Sequence, residues 1–149
     1  MQKILLAVDG SESSKKAAKK TAELASSLNA HVSLITVVNP DYSHNIETIE
    51  VGGAEMSMER LEEFKEEKKR KGKRILDEAA QFLEENNIKV AKKVYEGNPA
   101  DKICQVAEEE NYDMIVIADK GLGEIKRFFL GSISDKVVRH ASTSVFVVK

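Results

Sequence analysis

Two stretches of this sequence combine residue types at spacings that could do chemistry. The first is Asp9-Gly10-Ser11-Glu12-Ser13-Ser14, directly after the apolar block Ile4-Leu5-Leu6-Ala7-Val8. An aspartate where a buried strand ends can accept from a ribose hydroxyl or approach a metal ion. The same aspartate and serines can equally cap the helix that follows, so this stretch alone leaves both roles open. The second runs Ala118-Asp119-Lys120-Gly121-Leu122-Gly123, continues through Glu124 to Leu130, and ends on Gly131-Ser132. Glycines let backbone N–H groups approach a phosphate with no Cβ in the way. A Gly-Ser step opening a helix adds N–H donors, a hydroxyl and the positive end of the dipole. Lys120, Lys126 and Arg127 could add charge, although a plain turn and cap would use the same residues. No Gly-Lys-Ser/Thr step follows these glycines, so this is not a Walker loop.

The remaining reactive side chains are dispersed. His31, His44 and His140 have no carboxylate or second histidine at a ligand spacing, which argues against a zinc site. Cys104 is the only cysteine, so no internal disulfide framework exists, and its place on an apolar helix face reads as a small core residue. The charged run Glu62 to Arg74 places acids three and four residues ahead of bases, the pattern of a solvated helix with side-chain ion pairs rather than of a nucleic-acid contact. Phe128-Phe129-Leu130 reads either as a contact patch or as residues buried under a loop. No Ser-His-Asp set is recognisable.

Elements must hold these segments in place. Ile4 to Val8, Val32 to Val38, Val90 to Tyr95, Met114 to Ala118 and Ser144 to Val148 read as strands, most of them apolar throughout, as strands buried on both faces are. Between them lie helical segments. Residues 12 to 28 put Ala18, Ala22, Ala25 and Leu28 on one face and Lys15, Lys16, Lys19 and Lys20 on the other, with Asn29 as a left-handed stop. A long helix ending near Asn87 carries the stripe Ile75, Leu76, Ala79, Phe82 and Leu83, and its charged first half is expected to project from the core. Asn98-Pro99 starts a third helix, with Ile103, Val106 and Ala107 inward. Gly131-Ser132 starts a fourth, bearing Ile133, Val137 and Val138. The stretch from Asn39 to about Met56, with Pro40 and Gly52-Gly53, lacks a period and reads as a lid or binding loop.

Strands alternating with helices predict one doubly wound α/β domain over residues 1–149, with a parallel sheet covered on both faces. Ligands in such sheets bind beyond the carboxyl ends of the strands, which selects residues 9–14, 37–56 and 118–132. At 149 residues, 42% hydrophobic and 32% charged, the chain can bury a full core without a metal or disulfide staple. A net charge of −2 disfavours a nucleic-acid binder relying on overall basic charge. No apolar run approaches the roughly 20 residues of a membrane helix, and no signal-peptide pattern opens the sequence, so a cytoplasmic location is expected.

Taken together, Val8-Asp9-Gly10-Ser11-Glu12-Ser13-Ser14, Asn98-Pro99-Ala100, Tyr112-Asp113-Met114-Ile115-Val116 and Ser144-Val145-Phe146-Val147-Val148 resemble the universal stress protein family along the whole chain. Its nucleotide-binding branch carries Gly, two residues, Gly, nine residues, then Gly-Ser or Gly-Thr. Here that register falls on Ala118, Gly121 and Gly131-Ser132, with the nine-residue spacer Leu122 to Leu130 intact. Ala118 departs from the pattern. Its methyl is harmless where φ is negative and costly where φ is positive. Asp119 sets a negative charge near the expected phosphates.

The resemblance implies a Rossmann-like sheet ordered 3-2-1-4-5 and a bound ATP, with Mg2+ carried on the nucleotide near Asp9. Asp9 would hold the ribose beside Ala118, and the backbone at Val37 would meet the adenine edge. Gly121, Gly131 and Ser132 would take the phosphates. Ala7, Val8, Ile117, Lys120, Ile133 and Ser134 complete the expected nucleotide contacts. In that strand order Ser144 to Val148 lies at an edge and would pair with its own copy in a homodimer. Three functions stay open: a nucleotide-binding regulator, a dimeric interaction module that has lost the nucleotide, and a weak ATPase. The last needs a group to position water, and only Asp9 or Asp119 offers one. A receiver domain is set aside, because Asp9 stands without an acidic cluster.

Overall fold

The computed structural model describes residues 1–40, 58–122 and 130–149. In chain order the elements are β1 (Lys3–Ala7), α1 (Glu12–Leu28), β2 (His31–Val38), α2 (Met58–Glu85), β3 (Val90–Glu96), α3 (Pro99–Glu109), β4 (Met114–Ala118), α4 (Ser132–His140) and β5 (Ser144–Val148). The five strands form one sheet in the order β3-β2-β1-β4-β5, parallel at every pairing. That is the expected α/β fold. Strand order reverses between β1 and β4. The Asn39–Met56 loop beyond Pro40, together with Gly123, Lys126, Arg127, Phe128 and Phe129, lies outside the described residues.

The central strand shows why both faces must be covered. Ile4, Leu6 and Val8 point into a core shared with α1 and α2, whereas Leu5 and Ala7 point into a second core with α3 and α4. Successive strand side chains face opposite ways, so an unbroken apolar run needs a helix layer on each side. Ala17, Ala18, Ala22 and Ala25 keep α1 close to the sheet. Asn29 ends that helix in the left-handed conformation, φ 50°, with its N–H on the Ala25 carbonyl. Asn98 caps α3 by accepting from the Asp101 N–H, ahead of Pro99. Among the described residues, no helix is long and apolar enough to cross a membrane.

Three expectations are corrected. Leu28, at the far end of α1, is 40% exposed, and Thr21 takes a place on the inward face instead. Phe82 is 36% exposed, and Ala80 and Leu83 are the residues of that turn that pack inward. The charged half of α2 does not stand off the core along its whole length. Gly72 is buried, and a Cβ there would lie 3.3 Å from Thr36 Cγ2 and 3.4 Å from Val38 Cγ2. The missing side chain lets the helix backbone rest on β2. Lys68 Nζ donates to the Asn39 carbonyl at 3.1 Å, and Lys69 pairs with Glu96 at 3.4 Å, so charged side chains tie this half down at its rim.

A polar cluster joins α3 to β3. Glu110 accepts from Lys93 Nζ at 2.7 and 2.8 Å and from the hydroxyls of Tyr95 and Tyr112. Lys3 Nζ donates to its carbonyl. The Lys93 hydrogen bond holds the Glu110 carboxyl below the usual carboxylate range, and the same bond holds the Lys93 ammonium above the usual lysine range. The stabilisation is therefore present above the ordinary glutamate value and lost as pH falls through the lowered one. On the lysine side it is lost as pH rises through the raised value. With side chains 24% and 35% exposed, the pair contributes about 0.5–1 kcal/mol. Glu110→Gln is expected to cost that much in urea unfolding at pH 7 and nothing once the wild-type carboxyl is protonated.

Candidate functional site

The sharpest backbone feature lies directly after β1. Gly10 adopts φ +83°, a conformation that favours glycine, and turns the chain from the strand into α1. Ser11 then caps the helix by accepting from the Ser14 N–H at 3.1 Å. Asp9 takes part in the same turn: its N–H donates to Ser14 Oγ at 3.2 Å, and its Oδ1 accepts from the Ser11 N–H at 2.9 Å. The capping role and the exposed-acceptor role are thus not alternatives. Ser11 supplies the cap, and Asp9 is oriented by it.

The other Asp9 oxygen reaches across to the loop after β4. Oδ2 accepts from the Leu122 N–H at 3.2 Å, and a Cβ on Gly121 would sit 2.8 Å from it. Any side chain at 121 would have to push that carboxylate aside. Ala118, the last residue of β4, is buried and is not among the residues with positive φ, so its methyl carries no backbone strain. Asp119 ties β4 to the next helix through its carbonyl, which accepts from the Gly131 N–H at 2.6 Å and from Ser134 Oγ at 2.8 Å. Its carboxylate does not line the cavity described next, and stands 4.0 Å from Lys120 Nζ.

These segments enclose a cavity of about 330 Å³ at the carboxyl ends of β1, β2 and β4, where strand order reverses. All twelve residues expected from the sequence line it: Asp9 and Gly121 on one side, Gly131 and Ser132 at the head of α4, Val37 on β2, and Ala7, Val8, Ile117, Ala118, Lys120, Ile133 and Ser134 between them. Ser14 and Leu122, inside the segments selected from the sequence but not named as contacts, also line it, and sequence reasoning missed Ile35, Thr36, Pro99 and Ile103, which complete the lining. The apolar ones are indistinguishable in type from the rest of the core. Pro99 could have been found, since the Asn98-Pro99 helix start puts it at the same end of the sheet.

Backbone polarity completes the site. The Val8 N–H donates to the Ile35 carbonyl, and the Gly97 N–H donates to the Val38 carbonyl. In a parallel ladder successive residues turn their N–H and C=O to alternate neighbours, so Ile35 and Val37 both turn toward β1. By the level of Val37, β1 has ended, and its N–H and C=O face the space beyond. At the opposite wall Gly131 is the N-cap of α4 with no side-chain cap bond, so the positive end of the helix dipole meets the cavity with no side chain across it. Gly131 spends its own N–H on Asp119, so its contribution is the absence of a side chain. Ser134 similarly turns its hydroxyl to the Asp119 and Gly131 carbonyls.

Elsewhere the candidates stay structural. Cys104 is half-buried against the α3–α4 core, and burial pushes its thiol up, away from the reactive thiolate. His31 and His140 are exposed on separate elements, and His44 lies outside the described residues. Among the described residues no group of three or more metal-ligating side chains is assembled.

An open parallel sheet with its cavity at the point of strand-order reversal defines a Rossmann-like domain. A model of the universal stress protein family matches residues 1–149. The chain belongs to that family. Universal stress protein MJ0531 of Methanocaldococcus jannaschii is 33% identical over 148 residues, 99% of this chain and 82% of that protein. Among solved structures, UspA from Lactobacillus plantarum superposes with a TM-score of 0.82 at 22% identity, covering 99% of this chain and 97% of its own. A family member from Arabidopsis thaliana solved with AMP bound gives 0.71 at 22%, covering 100% and 92%. Others were solved with cAMP (0.70 at 23%, covering 99% and 95%) and, from Archaeoglobus fulgidus, with dAMP (0.69 at 20%, covering 100% and 98%).

Proposed function

We propose that this protein binds an adenine nucleotide in the switch-point cavity and acts as a regulatory homodimer whose conformation reports occupancy. The observation that carries the reading is Val37, whose backbone presents a donor and an acceptor side by side to the cavity. An adenine edge offers an amino donor beside a ring acceptor and complements that pair. Guanine places a carbonyl where adenine has the amino group, setting acceptor against acceptor. The Asp9 carboxylate has about four lone-pair sites, of which the Ser11 and Leu122 N–H groups occupy two. Capacity remains for a ribose hydroxyl. Phosphates belong at the head of α4, where first-turn N–H groups and the helix dipole favour anions.

The nucleotides held by structural relatives support the adenine class, and we assign ATP as the ligand. With no protein cage of ligating side chains among the described residues, Mg2+ would ride on the phosphates, with Asp9 as the carboxylate at hand. Hydrolysis would be slow at most: Asp119 does not line the cavity, and both Asp9 oxygens already accept from backbone N–H groups. Calorimetric titration with ATP, AMP, GTP and GMP tests the reading. Adenine nucleotides are expected to bind at least about tenfold more tightly than their guanine counterparts, a difference of ~1.4 kcal/mol. Equal affinities would overturn the assignment, and no binding would favour the nucleotide-free interaction module.

The dimer follows from β5. The Asp119 N–H donates to the Val148 carbonyl, so Val148 faces β4, and Val145 and Val147 turn their N–H and C=O outward along an unpaired edge. Antiparallel pairing of this edge with its own copy closes the assembly at two. Val147→Pro removes an outward donor without breaking the β4 ladder and is expected to give monomers in sedimentation at micromolar concentration. Wild-type protein already monomeric at that concentration would refute the dimer.

A further inference from the structure

A second cavity, of about 350 Å³, lies between α1 and α2 on the face away from α3 and α4. Its floor is apolar: Val8, Ala18, Ile75, Ala79 and Phe82, the last 36% exposed although it is the largest side chain of its turn. Its rim carries Lys15, Lys16 and Lys19 from α1 against Glu12 and Glu78. Lys15 is matched by Glu12 at 3.2 Å, whereas Lys16 and Lys19 make no ion pair among the described residues, although Glu23 one turn on stands within electrostatic reach of Lys19. One wall therefore carries the Lys16 and Lys19 ammonium groups above a hydrocarbon floor, and of the lining carboxylates Glu78 makes no ion pair among the described residues.

We propose that this groove binds a medium-chain aliphatic carboxylate, with its chain along the α1–α2 floor and its headgroup at Lys16 and Lys19. The apolar floor accounts for the chain, since a small-molecule site is concave, mostly apolar and rimmed by a few polar groups. The sign of the wall accounts for the headgroup. Long lysine stems lie along apolar surface while their charges stay in water, so the rim can meet a carboxylate without being buried.

NMR titrations of the full chain with decanoate, decanol and decylammonium share one hydrocarbon and differ in head charge. Decanoate is expected to move the resonances of Ala18, Ala79 and Phe82, with decanol weaker and decylammonium weakest. Lys16→Gln combined with Lys19→Gln weakens decanoate about three- to tenfold, and Glu78→Gln strengthens it about twofold, as expected for solvent-exposed charges. These positions are exposed, so the variants keep the fold, which circular dichroism verifies. Ala79→Trp fills the groove and removes binding altogether. Equal affinity for all three heads would reduce the groove to an unselective crevice and overturn the proposal. So would decanoate shifts confined to other residues, or none.

Discussion

Gly131→Val is expected to lower nucleotide affinity at least about a hundredfold, ~2.7 kcal/mol, while leaving the protein folded. Both halves follow from the geometry at the head of α4. Gly131 has φ −60° and ψ 158°, a conformation valine adopts without strain, and its N–H bond to the Asp119 carbonyl involves no side chain. The glycine is thus not needed for the turn. It lines the cavity, however, and three added carbons on that wall stand between a phosphate and the first-turn N–H groups. Calorimetry with ATP and AMP on the variant, with urea unfolding as the control, separates the two halves. Unchanged affinity would remove the phosphates from this helix.

Leu6→Ala has the largest expected effect on stability. Leu6 is fully buried in the central strand, in register with Leu34 of β2 and Val116 of β4, which are equally buried. Neighbours held in a five-stranded ladder cannot collapse into the space left by an isobutyl group. The cost is about 3–4 kcal/mol, a large share of the ~5–15 kcal/mol typical of a domain. Leu28→Ala, at the 40% exposed end of α1, is the matched control and is expected to cost less than about 1 kcal/mol. Urea midpoints at constant slope measure both, and similar costs would show that β1 repacks.

The strands and the candidate site were legible in the sequence for the same reason. A buried parallel strand is an uninterrupted apolar run, and its carboxyl end is where polarity and glycine return, as Val8-Asp9-Gly10 and Ala118-Asp119 show. What could not be read was orientation. Nothing in the residue types says that the Asp119 carbonyl, rather than its carboxylate, would serve the site, or that Gly131 would spend its N–H within the loop. The two misjudged helix positions have different origins. Leu28 is the last residue of its helix, whereas Phe82, between the buried Ala80 and Leu83, turns sideways into the groove between the first two helices, so tertiary contact overrides pattern. The charged half of α2 misled in the opposite sense, because its inward contact is made by a glycine, which no hydrophobic pattern registers.

The pairing of β1 with β4 has a consequence for how the chain is born. The Lys3 N–H reaches the Asp113 carboxylate across a separation of 110 residues, whereas β1 and β2 are joined through a single helix. At about 5–20 residues per second, β4 leaves the ribosome on the order of ten seconds after β1. During that interval one side of the central strand lacks its neighbour, and the carboxylate of Asp9 lacks the Leu122 N–H. The half built from β1, α1 and β2 can assemble early, but the switch-point cavity comes into being only once β4 and α4 have followed. Until then a nascent chain has one wall of the cavity and not the other.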